Sequence, residues 1–203
     1  LGQSALTMVW VDRKGTVTPL IPEKHAYNTV AVSPDGRRIA FGMESPEGAH
    51  VWIYEMERGA LTRLTFEGAG NNMPVWTPDG KRIVYTSLSD RGVPNLYWKR
   101  ADGAGETERL LDSTLGQYPY SFSPDGKILS TFERDPDTRW DIVMTRPSEK
   151  ASKETFLKTP AIEGFPCFSS DGRWVAYVSD ESGRFEVYVR AYPGPGGKWQ
   201  VST

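Results

Sequence analysis

Ser33-Pro34-Asp35-Gly36, Thr77-Pro78-Asp79-Gly80, Ser123-Pro124-Asp125-Gly126 and Ser169-Ser170-Asp171-Gly172 are one tetrapeptide written four times. Their glycines stand 44, 46 and 46 residues apart. A near-constant period of this size marks a repeat architecture and takes precedence over other signals. The chemistry of the tetrapeptide is that of a tight turn. Proline presets φ at the first turn position, aspartate bonds the backbone ahead of it, and glycine accepts the left-handed conformation. The four aspartates therefore read as turn formers, not as a charged site.

The flanks repeat as well. A large apolar residue precedes each turn: Val32, Trp76, Phe122 and Phe168. A basic residue and an apolar run follow: Arg37-Arg38-Ile39-Ala40-Phe41, Lys81-Arg82-Ile83-Val84-Tyr85, Lys127-Ile128-Leu129 and Arg173-Trp174-Val175-Ala176-Tyr177. This is strand, turn, strand. A third strand opens at His50, Asn95, Trp140 and Glu186, and a fourth at Leu61, Glu108, Thr155 and Trp199. Four short antiparallel strands in each repeat are the arithmetic of a propeller blade. The second strands are apolar without alternation, as expected of strands covered on both faces. No segment has helical periodicity.

The reading is all-β: one β-propeller domain over residues 1–203, with blades at about 28–66, 72–112, 117–158 and 163–203. The stretch 6–20 supplies half a blade, with Thr7 to Val11 as a third strand, Gly15 as the turn and Thr16 to Thr18 as a fourth. The two strands that would complete that blade are missing after the fourth repeat. The expectation is an incomplete or open ring, an assembly with another chain, or a segment of a longer propeller, with self-association through open blade edges as a consequence.

Composition narrows the function. Seven Trp, nine Tyr and eight Phe suit a core of thin layers, and 20 Gly with 15 Pro suit many turns. A net charge of −2 with interleaved signs argues against a nucleic-acid partner. The single cysteine, Cys167, excludes an intrachain disulfide. No apolar run approaches the roughly 20 residues of a membrane span. The opening residues run straight into strand-like sequence with no secretory leader, and Leu1 in place of Met points to an excised or processed segment.

The Ser-Pro-Asp-Gly-Arg/Lys repeats resemble the TolB-type propeller repeat. That repeat occurs in the periplasmic TolB protein, in the propellers of prolyl-oligopeptidase-like and tricorn-like peptidases, and in C-terminal extensions of some bacterial membrane-anchored Ser/Thr kinases. The segments Asp135 to Asp141 and Asp180 to Val189, with Pro193 to Trp199, are closest in flavour to the kinase extensions. Members of the family build longer rings than this chain supplies. The resemblance implies the fold and a periplasmic or extracytoplasmic setting; the motif is architectural and does not give function.

No catalytic set is expected. A serine hydrolase needs a G-x-S-x-G elbow, and the nearest stretch, Gly2-Gln3-Ser4-Ala5-Leu6, lacks the final glycine. His25 and His50 are far apart and read as surface or rim residues, and Cys167 reads as a small buried hydrophobe. Gly68-Ala69-Gly70 precedes no helix and is not a dinucleotide fingerprint. No cofactor or metal is expected.

The charged loops between second and third strands are the candidate binding face. They carry Glu44 and Glu47; Asp90 and Arg91; Glu133, Asp135, Asp137 and Arg139; and Asp180, Glu181 and Arg184. Glu133, Asp135 and Asp137 could ligate Ca²⁺, but a solvated acidic turn paired with Arg134 and Arg139 is the favoured reading. The expected function is a non-catalytic recognition or sensor module with a protein or peptide partner, within a larger bacterial protein. The alternatives are a gating propeller of a prolyl-oligopeptidase-like peptidase, a propeller lyase or lactonase, and a purely structural role.

Overall fold

The computed structural model describes residues 5–68, 70–88, 92–147 and 151–202. Among them there are eighteen strands and no helix. β1 (Leu6–Val11) and β2 (Val17–His25) form a two-stranded sheet. The first four-stranded sheet holds β3 (Tyr27–Val32), β4 (Arg38–Ser45), β5 (Gly48–Glu55) and β6 (Ala60–Arg63). The second holds β7 (Asn72–Trp76), β8 (Arg82–Leu88), β9 (Pro94–Arg100) and β10 (Glu108–Leu111). The third holds β11 (Gly116–Phe122), β12 (Leu129–Asp135), β13 (Arg139–Arg146) and β14 (Ser152–Leu157). The fourth holds β15 (Glu163–Phe168), β16 (Trp174–Ser179), β17 (Glu186–Ala191) and β18 (Lys198–Gln200). Each is an antiparallel meander in chain order.

The repeated turns are built alike. In the first, Ser33 Oγ donates to Asp35 Oδ1 at 2.6 Å, the Arg37 amide donates to the same oxygen at 3.0 Å, and the Arg38 amide donates to Ser33 Oγ at 2.9 Å. Thr77/Asp79, Ser123/Asp125 and Ser169/Asp171 repeat the pattern. The glycines sit at φ between 67° and 71°, the left-handed region that a side chain rarely occupies. The turns also touch one another. A Cβ on Gly126 would lie 3.6 Å from Pro78, and one on Gly172 would lie 3.2 Å from Pro124. Each proline thus packs on the glycine of the next repeat.

Sheets meet face to face, and each seam is a hydrophobic cluster. Ile21, Tyr27, Ile39, Phe41 and Met43 join the β1–β2 hairpin to the first sheet. Ala40, Val51, Ile53, Trp76, Ile83 and Tyr85 fill the next seam, Val84, Leu96, Leu110 and Leu129 the one after, and Ile128, Ile142, Met144, Phe168, Val175 and Tyr177 the last. Residues on both faces of β4 and β8 are consequently buried. On β16 buried and half-buried residues alternate, because among the described residues no sheet covers its far face. The described sheets form an arc that does not close.

Hydrogen bonds cross the seams too. Trp76 Nε1 donates to Ala31 O at 3.0 Å, Thr86 Oγ1 to Gln117 O at 3.0 Å, and Ser130 Oγ to Pro166 O at 2.7 Å. β3, β7, β11 and β15 lie against one another, so the sheets radiate from an inner wall of first strands.

Candidate functional site

Every first-strand ladder carries a register shift: between Tyr27 and Val30, Asn72 and Val75, Pro119 and Ser121, and Gly164 and Cys167. A bulge bends the strand and re-aims the side chains beside it. Two of the bulges hold non-glycine residues in the left-handed region, Met73 at φ 53° and Phe165 at φ 56°. Such a conformation is unfavourable for a residue with a Cβ. The outcome is a wall that turns apolar groups outward. Thr29, Val30, Met73, Pro74, Pro119 and Tyr120 line a cleft of about 270 Å³ on it.

At one end of this wall stands a connected group of five aromatic rings. Tyr118 stacks on Phe132 with centroids 5.2 Å apart, and Trp140 meets both edge-on at 5.3 Å. Phe165 lies 5.6 Å from Phe132 and 5.7 Å from Tyr120, so it bridges the third and fourth sheets. Phe132 is buried beneath the group, while Phe165 is 52% exposed and Tyr120 39% exposed. Burial pushes the Tyr118 hydroxyl above its ordinary pKa, opposed by the Arg134 charge. Tyr118 stays a neutral phenol at physiological pH, able to give and accept a hydrogen bond.

Of the loops expected to bind, the one ending at Arg139 leads into Trp140 of this mouth, and most of the charges on these loops are already committed within the protein. Glu44 accepts from Asn28 Nδ2 at 3.0 Å. Glu47 pairs with Arg63 at 3.3 Å and is exposed. Glu133 is no loop residue: it lies in β12, buried, accepting from Lys153 Nζ and Gln117 Nε2, each at 2.6 Å. Asp135 closes β12 and pairs with Lys158 at 2.7 Å, which with two amide donors brings its pKa down to about 2. The partners of this acidic segment are thus Lys153 and Lys158, not Arg134 and Arg139. Asp137 is exposed. Arg139, at φ 81°, reaches Asp180 of the next sheet at 3.8 Å. Glu181 pairs with Lys198, and Arg184 with buried Glu186 at 2.5 Å. Asp90 and Arg91 lie outside the described residues.

Two other expectations are corrected. His50 is not on the surface but buried, 2.8 Å from Arg63 Nη2 and 3.3 Å from Asn71 Nδ2. Desolvation, with Arg63 adding to it, lowers its pKa, so it is neutral. Cys167 is exposed, because the β15 bulge turns it outward. Among the described residues, no three His, Cys, Asp or Glu side chains are grouped to hold a metal ion.

The burial of His50 belongs to a repeated device that sequence reasoning missed. His50, Asn95, Asp141 and Glu186 occupy the same place at the head of the third strand, and all are buried. Each ties its strand to the chain entering or leaving the fourth. Asn95 Oδ1 accepts from Arg109 Nη2 at 2.7 Å and from the Ser113 amide at 2.9 Å, and Glu186 accepts from Ser202 Oγ. The available signal was a polar residue opening an otherwise apolar strand in all four repeats. The aromatic mouth was equally legible in principle, as the aromatic–proline runs Tyr118-Pro119-Tyr120 and Gly164-Phe165-Pro166 in two first strands.

Comparisons with known proteins agree with this architecture. The family model for the TolB beta propeller domain matches residues 20–153. No curated protein matches the sequence. TolB from Acinetobacter baumannii superposes with a TM-score of 0.81 at 20% identity, over 97% of this chain and 48% of that one. The putative TolB from Agrobacterium tumefaciens gives 0.79 at 20% identity, over 92% and 69%. Prolyl oligopeptidase B from Galerina marginata, bound to a 35mer hydrolysis and macrocyclization substrate, gives 0.63 at 13% identity, over 87% and 28%. This chain spans about half the length of the Acinetobacter protein. By the family match over most of its repeats and the sheets they build, the chain belongs to the TolB β-propeller family.

Proposed function

We propose that this propeller is a non-catalytic recognition module that binds an extended, apolar segment of a partner protein or peptide along its inner wall. The carrying observation is the aromatic mouth, where Tyr120 of the third sheet and Phe165 of the fourth are both exposed and meet edge-on at 5.7 Å. Exposed aromatic groups on a rigid support give large contact area at little entropic cost. The strained backbone at Phe165 and Met73 favours the same reading, since left-handed non-glycine residues cluster where function holds them. Glu47, Asp137, Arg139 and Arg184 are exposed at the rim and would orient the partner more than bind it. An extracytoplasmic setting follows the family.

Peptides selected on this chain from a random library, with the Tyr120→Ser/Phe165→Ser double variant as counter-target, test the reading. Expected are aromatic- or proline-rich peptides that bind the variant at least about tenfold more weakly. Peptides indifferent to the variant, or turnover of a peptide or glycan substrate by the chain, would contradict it. Turnover would favour the peptidase or lyase alternative.

A further inference from the structure

On the side of the molecule opposite the loops, between the turns of the first and second sheets, lies a cleft of about 420 Å³. Arg38, Lys81, Arg82 and Arg100 line it, with Asp79 and Asp102 the only carboxylates. The carboxylates are spoken for. Asp79 Oδ1 accepts from Thr77 Oγ1 at 2.6 Å and from the Lys81 amide at 3.0 Å. Asp102 is held by the Arg100 guanidinium and the Ala104 amide. The cations are only partly spoken for: Arg82 pairs with Glu108 at 3.4 Å and Arg100 with Asp102, whereas among the described residues neither Arg38 nor Lys81 has an ion-pair partner.

Two of the guanidinium groups are fixed in place. Arg38 lies 4.6 Å over the Trp76 ring and donates one nitrogen to Gly80 O at 2.9 Å. Arg82 lies 4.3 Å over the Trp98 ring. Stacking presents the planar fork edge-on with little freedom left to lose. In addition, Arg82 and Arg100 face each other directly across β8 and β9. Like charges in that relation are unfavourable, and a neighbouring carboxylate offsets each one, Glu108 for Arg82 and Asp102 for Arg100. The same position in the first sheet pairs Arg38 with Glu55, and in the fourth Trp174 with Ala191.

The repeat supplies its own control. The equivalent cleft between the third and fourth sheets, about 280 Å³, is lined by Asp125, Asp171 and Ile128, with no cation on its wall; Ile128 stands in the place of Arg38 and Trp174 in that of Arg82. The turn therefore does not require the arginines.

We infer that the cleft between the first two turns is a binding site for a small oxyanion of the phosphate-monoester class. The two cations without an ion pair, Arg38 and Lys81, match a dianion, and forked guanidinium groups match its oxygens. The cleft volume is that of a small-ligand site.

The test is a titration of the chain with inorganic phosphate at constant ionic strength, followed through the Arg Nε–H and Trp Nε1–H resonances. Saturable shifts confined to Arg38, Arg82, Arg100, Trp76 and Trp98 are expected. The Lys81→Gln/Arg100→Gln variant, which removes two exposed charges and no buried contact, should weaken binding roughly tenfold. Shifts that never saturate, that match those produced by chloride, or that are unchanged in the variant would overturn the inference. A glutamate-rich peptide that moves these resonances when phosphate does not would also overturn it, in favour of an acidic partner.

Discussion

Asp35, Asp79, Asp125 and Asp171 each accept a hydroxyl and an amide hydrogen bond, and all four have lowered pKa values for that reason, the hydroxyl bond being the larger cause. A lowered folded-state pKa means stability that is present above the ordinary aspartate value of 3.8 and is lost as pH falls through the folded value. The turns therefore weaken only in strong acid. Glu163 is the opposite case. It is fully buried, Thr159 Oγ1 donates to one of its oxygens, and the other has no partner among the described residues. Burial raises its pKa, helped by the nearby Asp141 charge. Its contribution is present below the unfolded value and lost as pH rises through the folded one. Glu163→Gln should accordingly raise the thermal midpoint at neutral pH and leave it nearly unchanged near pH 4, a difference that a melting series across pH will show. Ser170 stands where the other turns have proline, and its amide makes no backbone bond within the turn. Ser170→Pro should stabilise by about 0.5 kcal/mol, read by urea denaturation, because it restricts the unfolded chain. At this scale the turn residues were legible because their chemistry is local. The burial of His50 and the exposure of Cys167 were not, because both depend on which way a strand faces after its neighbours pair.

The strand heads and bulges decide the element scale. Strand number and order follow from hydrophobic runs separated by turns, and both can be read along the chain. The bulges cannot, because a register shift is a property of two strands and leaves no mark on one. That is why the charged loops drew attention and the inner wall did not. Loop charge is visible in sequence, whereas Glu133 paired with Lys153 and Asp135 with Lys158 become spent charges only when β14 docks beside β13. Trp76 shows how elements are tied across a seam. It packs in the cluster between the first two sheets and donates to Ala31 O. Trp76→Phe keeps most of the packing, removes that bond and weakens the stacking of Arg38. It should cost about 1 kcal/mol in equilibrium unfolding.

The whole molecule is a series of sheets, each leaning on its neighbours. Its seams hold the apolar core, its turn side is charged, and its inner wall is aromatic at one end and apolar along its length. The period of the repeat made that architecture readable in advance, together with the open arc. The distribution of function over its surfaces was not readable, because clefts of the same construction differ in a few side chains beside the turns, Arg38 and Arg100 in one and Ile128 and Tyr192 in the other. Recognition through the inner wall is the claim on which the functional account rests, and Phe165 isolates it. The residue is exposed and sits at φ 56°, where glycine is at ease and phenylalanine is not. The decisive measurement is the dissociation constant of a selected peptide for Phe165→Gly, taken alongside the urea midpoint of the same variant. Binding should weaken at least about tenfold, with the midpoint unchanged or raised. Unchanged affinity, with the midpoint lowered, would show Phe165 to be a packing residue and would contradict the inner wall as the binding surface.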